Sequence, residues 1–430
     1  LFMLAILFVI LVYPLLGVSV TTHDDAIALM NLSNSSVWHS ALALAQGQGR
    51  VGHLWSWPLW QVPFLVDSKP WYLVMKYGAL LLVLVALYYA VLKVVRSTWV
   101  VVASIAFYLT FIQNSLSYNA LVSYPFLFNF QLALFLGAIG VYVDAIERSK
   151  LVLAYVSGGL YFLTLSTEFY VLFFPLFVLL TASHATNLQT FLAKLYRSRQ
   201  YLIAICIPLA LYLIAYGVWR LIYPSQYIGN QVAWSGMGSF LRIVGSYSFS
   251  ALPFQSAEFF LDSNVRSQFV NNTSIRWALS NMGVGVYIKA IAVLAIYYRL
   301  ITADGIFLPD RRVIRWPLAV VLVCVFIPNL LLGLTTKHHQ WFQSGVRSYL
   351  YTYHSFVAFA VFFSLALAYL KDISRDWCRA CRRVIFTVIG VIVLSGSLLV
   401  DMNNTYVAFK QKLVHRQFEL IDAFIGSVEF

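Results

Sequence analysis

Apolar runs of membrane-crossing length recur along this chain from its first residue to about residue 400, and the polar stretches between them alternate in character: one kind short and basic, the other longer and mixed. The runs fall at 1–21, 71–92, 99–114, 125–143, 151–167, 169–183, 200–222, 281–299, 315–334, 349–370 and 384–401. They predict an all-α polytopic membrane protein of about eleven transmembrane helices, folded as a single transmembrane domain over residues 1–430. One stretch is ambiguous. Residues 151–183 must make two crossings from 33 residues broken at Ser166-Thr167-Glu168, each short for a hydrocarbon core, or else form one long helix kinked at Pro175.

Charge favours the hairpin. The loops 93–98, 144–150, 184–199, 299–315 and 371–383 hold 16 of the 29 Lys and Arg residues, and all five share a side only if the chain turns back at 166–168. The positive-inside bias makes that side cytoplasmic, together with the N-terminus. The first run lacks a charged n-region and a small-x-small cleavage site before His23, so it is expected to be a retained helix and not a signal peptide. Outside then lie a first loop at 22–70, a second long loop at 223–280, a shorter one at 335–348 and a C-terminal tail at 402–430.

Composition changes this picture little. The chain is 61% apolar and 10% charged, which excludes an ordinary soluble surface. Its net charge of +13 reflects topology and anionic headgroups, so no nucleic-acid partner is expected. Cys206 and Cys324 lie in apolar runs and Cys378 and Cys381 in a basic loop, where no disulfide is expected and no second Cys or His pair completes a zinc site. Sequons at Asn31, Asn34, Asn271, Asn272 and Asn403 all fall on the predicted outer side.

The first outer loop carries the clearest chemistry. Asp24 and Asp25 stand together directly after the first apolar run, a costly place for two carboxylates unless they serve a purpose. Residues 34–55 carry a moderate helical period that ends among Gly47, Gly49 and Gly52, which predicts a short interfacial helix. A loop should follow, with Trp55, Trp57, Trp60 and Trp71 at headgroup level. Further along, residues 335–356 gather Lys337, His338, His339, Arg347, Tyr351 and His354. The last three are spaced i, i+4 and i+7 on one face of the tenth helix, an arrangement suited to an anionic lipid phosphate. Arg50 and His53 in the first loop, Glu168 at the hairpin and Lys289 inside the eighth run are secondary candidates.

Taken together, the cytoplasmic N-terminus, the acid pair after the first helix, the interfacial helix with its A-x-x-x-x-GR-like close (Ala43 to Arg50) and about eleven spans resemble the GT-C-type membrane glycosyltransferases. That superfamily includes protein O-mannosyltransferases, aminoarabinose transferases and O-antigen glucosyltransferases. The motif resemblance covers mainly residues 1–70, and the architectural one the whole chain. It implies a sugar donor linked to a polyprenyl phosphate, an acceptor hydroxyl on a lipid, glycan or protein, and a site on the periplasmic, extracellular or lumenal face. It further implies that Asp24 or Asp25 acts as general base and that Lys337, His338, His339, Arg347, Tyr351 and His354 bind the donor phosphate. Arg50, His53 and Glu168 would then bind acceptor or sugar. Some members use a divalent ion and others do not, and no DxD or HxxxH pattern requires one here. A bacterial inner membrane is the expected location. Two other functions are open to such a chain: a polysaccharide polymerase or ligase using lipid-linked donors through outer-loop Arg and His, and a transporter or flippase.

Overall fold

The computed structural model describes residues 2–16, 36–66, 68–114, 121, 124, 126–183, 187–225, 227–232, 234–254, 282–302, 311–344 and 352–427. Regular structure among them is helical, with one isolated bridge between Val232 and Thr335. In chain order the helices are α1 (Phe2–Val12), α2 (Val37–Gln48), α3 (His53–Gln61), α4 (Lys69–Val95), α5 (Thr98–Phe111), α6 (Leu127–Glu147), α7 (Leu151–Thr164) and α8 (Phe174–Thr181). There follow α9 (Leu188–Arg197), α10 (Arg199–Ile222), α11 (Met237–Phe249), α12 (Val284–Thr302), α13 (Arg311–Leu330), α14 (Thr336–Gln343), α15 (Thr352–Ile373) and α16 (Arg379–Ser427).

Six of these, α4, α6, α10, α12, α15 and α16, are long and apolar enough to cross a membrane. Five shorter apolar helical stretches, Phe2–Leu15, Thr98–Phe111, Leu151–Thr164, Glu168–Thr181 and Ile314–Leu330, stand at the remaining predicted positions.

The stretch 151–183 is a hairpin. On the way out Ser157 donates to the Ala138 carbonyl of α6 at 2.8 Å, and Ser166 accepts from Gln131. On the way back Phe173 lies 4.7 Å from Phe135 between ring centroids, and the hydroxyls of Thr181 and Tyr142 meet at 2.6 Å. Both limbs therefore run along α6 in opposite senses, and a 3-10 turn at Glu168–Phe173 carries the reversal. Neighbouring α4 and α5 turn back just as sharply. Arg96 adopts φ 55°, and the Ser97 hydroxyl caps α5 by accepting from the Val100 amide.

These reversals gather the five basic loops at one end of the bundle. Lys93 pairs with Asp144 at 2.5 Å and Arg96 with Glu147, which joins the first two loops. The Leu300 carbonyl accepts from both Trp99 and Lys371, Tyr297 donates to the Phe386 carbonyl, and Lys194 donates to the Ser183 carbonyl beyond α8. Residues 36–66, the end of α10, α11 and α14 lie at the opposite end.

Several expectations need correction. The first outer segment holds two helices, because α3 continues through Trp55, Trp57 and Trp60 where a loop was expected. Trp57 is 5% exposed and donates to Ser40 Oγ at 3.0 Å, so it ties α3 to α2 and does not belong to a headgroup belt. The expected C-terminal tail continues the last helix through residue 427, for 49 residues in all. Asn403 lies within that helix with its amide buried and donating to the Asn114 carbonyl at 2.8 Å, which leaves no room for a glycan. Cys378 and Cys381 form a disulfide, against the expectation of none. Lys289 shares the buried interior with a second lysine, Lys76 of α4, which is 1% exposed.

Candidate functional site

At the end opposite the basic loops, side chains from separate parts of the sequence make a closed circuit of contacts. It starts at the close of α2. Ser36 caps the helix by accepting from the His39 amide, and Gly49 ends it in the left-handed region with φ 63°. A Cβ at Gly49 would stand 2.5 Å from the Tyr223 carbonyl oxygen, so glycine is required there both by conformation and by space. Three residues on, a Cβ at Gly52 would stand 2.6 Å from the Ser166 carbonyl oxygen. This backbone-to-backbone approach sets the 49–52 turn directly on the tip of the α7–α8 hairpin.

Arg50 consequently faces Glu168. Its guanidinium binds the carboxylate in a two-pronged pair, Nε to Oε1 and Nη2 to Oε2, with side chains 15% and 21% exposed. Two residues beyond, the Tyr170 hydroxyl lies 2.6 Å from His354 Nε2, and Phe169 packs edge-on against the same imidazole. His354 is thus buried at the start of α15 beneath the hairpin tip. Its neighbour Tyr353 meets the Tyr108 hydroxyl at 2.5 Å and donates to Asn129 Oδ1.

From α15 the circuit continues through Thr352, which donates to the Tyr247 carbonyl of α11 at 3.1 Å. The Tyr247 ring stands edge-on to His338 of α14. Lys337 reaches the other way, donating to the Tyr227 hydroxyl at 2.6 Å, with its ammonium 4.3 Å from the centroid of the Trp341 ring. Asn230 closes the loop by donating to the Gln48 carbonyl at 2.9 Å, two residues before Arg50. An apolar cavity of about 120 Å³ between α4, α6, α13 and α15 reaches His354 from the other direction, along Leu132, Phe135, Phe173 and Val357.

Burial sets the charge on this circuit. The His338 pKa falls to about 3, first because the ring is buried and then because Lys337 and His339 stand beside it. His53, held between Gln48 and Ser56, is lowered as well, by burial and then by Arg50. His339 binds Ser235 and the Gly333 carbonyl through its two ring nitrogens. At neutral pH His53 and His338 therefore supply single N–H donors, while Lys337, Arg50 and Arg220, which donates to the Gln48 carbonyl at 3.1 Å, carry positive charge. Glu168 is the one acid on the circuit among the described residues, and both of its oxygens are engaged by Arg50.

Of the sequence-predicted residues, Arg50, His53, Glu168, Lys337, His338, His339 and His354 come together at this end. Asp24, Asp25, Arg347 and Tyr351 lie outside the described residues. No family model, curated protein or solved structure matches this chain. The resemblance to membrane glycosyltransferases thus rests on its residues and helix pattern alone. Among the described residues no group of three or more His, Cys, Asp and Glu side chains is arranged to hold a metal ion.

Tyr170, Tyr227, Tyr247, Tyr353, Asn129 and Gln131 were not anticipated. Asn129 and Gln131 were detectable in principle, because two amides inside an apolar run need partners. The tyrosines gave no signal, since aromatic residues are common along every run of this chain.

Proposed function

We propose that the protein is a GT-C-type glycosyltransferase that moves a sugar from a polyprenyl-phosphate donor to a hydroxyl of a lipid, glycan or protein. The reaction takes place at the membrane face opposite the basic loops. By the positive-inside bias the basic end is cytoplasmic, so the reacting face is periplasmic, in a bacterial inner membrane. The observation that carries the reading is the circuit itself. It unites Arg50, Glu168, Lys337, His338 and His354 at the end where α1 leads into the segment bearing Asp24 and Asp25.

In this reading one of the two aspartates accepts the proton of the acceptor hydroxyl while its oxygen bonds to the anomeric carbon. The bond from that carbon to the phosphate oxygen breaks, and the electron pair leaves with the polyprenyl phosphate. Lys337 and Arg347 offset the charge that develops there, and neutral His338 contributes one N–H. The Arg50–Glu168 pair orients the sugar through its exposed edges and keeps the hairpin tip against α2. The apolar cavity below His354 offers room for part of the prenyl chain.

The test uses the protein in nanodiscs with a fluorescent polyprenyl-phosphate sugar and a membrane lipid extract as acceptor. Asp24→Asn or Asp25→Asn is expected to lower transfer by about 10²–10⁴-fold while the other retains it, the usual range for loss of a general base. Transfer that survives in both single variants and in the double variant overturns the proposal. Loss in Arg347→Ala with both aspartate variants active points instead to a lipid-linked polymerase or ligase.

A further inference from the structure

Between the hairpin and the next long span stands α9, a helix that the circuit does not use. A capping box opens it: Asn187 Oδ1 accepts from the Thr190 amide at 2.8 Å, and Thr190 Oγ1 accepts from the Asn187 amide at 3.2 Å. Ser198, with φ −101° and ψ 14°, leaves helical geometry and separates α9 from α10. Leu188, Phe191, Leu192 and Leu195 recur at i, i+3, i+4 and i+7 and make one apolar face, and Gln189, Thr190, Ala193 and Arg197 make the opposite one. Yet no residue of α9 is buried, and Leu188 and Leu192 are 71% and 55% exposed. The protein itself leaves this stripe uncovered.

Position and charge identify the cover. The preceding helix α8 ends beside Tyr142 of α6, so α9 lies at the end of the bundle opposite the circuit. α10 begins at Arg199, directly after Ser198, and is the least buried of the six long spans. Acyl chains therefore surround most of α10, and the headgroup level falls at its first turn, beside α9. The polar side of α9 is basic. Lys194 donates to the Ser183 carbonyl, and the Arg199 guanidinium lies over the Tyr196 ring, 4.5 Å from its centroid. Arg197 and Arg199 are exposed, and no Asp or Glu occurs in the sequence between Glu168 and Glu258 to neutralise them. An open apolar stripe flanked by unopposed arginines matches the boundary of an anionic bilayer, with acyl chains against the leucines and phosphates against the guanidinium groups.

We propose that α9 lies in the plane of the membrane surface and binds anionic phospholipid, with Leu188, Phe191, Leu192 and Leu195 among the upper acyl chains and Arg197 and Arg199 on the lipid phosphates. The site is independent of the glycosyl-transfer reading, since it lies at the other end of the bundle and uses no residue of the circuit.

The experiment introduces Leu192→Cys on the apolar face or Ala193→Cys on the polar face of an otherwise cysteine-free protein and attaches a polarity-sensitive fluorophore. The protein is reconstituted in phosphatidylcholine nanodiscs containing phosphatidylglycerol or phosphatidylcholine that carries a nitroxide high on one acyl chain. The nitroxide lipids are expected to quench the label at position 192 and aqueous iodide the label at position 193. At position 192 the phosphatidylglycerol analogue should reach half-maximal quenching at a concentration about fivefold lower than the phosphatidylcholine analogue, the weight of one basic residue at a membrane surface. That preference should disappear in Arg197→Gln/Arg199→Gln and shrink in high salt, while lipid quenching itself persists. Iodide quenching at position 192, a label there that no nitroxide lipid reaches because protein covers it, or equal quenching by the two analogues in the protein with both arginines overturns the proposal.

Discussion

At the scale of single residues, burial alters what a side chain contributes more than its identity does. A Lys-His-His run suggests three cations ready for a phosphate. In the folded chain His338 is 5% exposed, with its pKa near 3, and at neutral pH it carries no charge. This has a measurable consequence. Above pH 6.5 His338 is neutral in both folded and unfolded chains and adds no pH dependence. As the pH falls below 6.5 the unfolded chain takes up a proton that the folded one refuses until about pH 3. Stability then falls by about 1.4 kcal/mol per pH unit from this group alone. The apparent melting temperature should fall between pH 6.5 and 5 in the wild type and fall less steeply in His338→Gln, and equal slopes would refute the assignment.

At the scale of elements, the site depends on two turns pressed together. The short hairpin 151–183 exposes Glu168 at its tip because neither limb is long enough to carry the reversal out into a flexible loop. The turn after α2 meets that tip only because Gly52 presents no side chain to the Ser166 carbonyl. Gly52→Val should force the turns apart, lowering stability by about 1–3 kcal/mol through overpacking. It should also abolish the coupling between Arg50 and Glu168. A double-mutant cycle with Arg50→Ala and Glu168→Gln, read by thermal unfolding, would report a coupling near zero in the Gly52→Val background and a clear one in the wild type. Coupling that persisted would mean that the pair forms without the close approach.

For the whole molecule, the alternation of helix direction puts the two chemistries at opposite ends. Four of the five basic loops, tied together by Lys93–Asp144, Arg96–Glu147 and the shared Leu300 carbonyl, mark one end, and the circuit through Arg50, His354 and Lys337 makes the other. In sealed membrane vesicles of known orientation, single cysteines at Arg382 and at Gln231 in a cysteine-free background should react with an impermeant maleimide from opposite sides. Labelling of both from one side would rule out this topology.

Much of this architecture is present in the residue pattern. Bilayer length and the absence of water in lipid force each apolar run into a helix, and the clustering of Lys and Arg selects the hairpin over the kinked helix. Arg50, Glu168, Lys337 and His354 stood out for a similar reason, as charged or polar residues next to apolar runs. Their partners did not, because nothing local says that Glu168 meets a residue 118 positions earlier or that Asp401 meets Lys289 across 112. Such pairs are chosen by which helices touch and at what height. The sequence by itself therefore determined the apolar helices, their order and the reversal at 166–168. Only tertiary packing decided which polar groups share a partner and which histidines lose their charge.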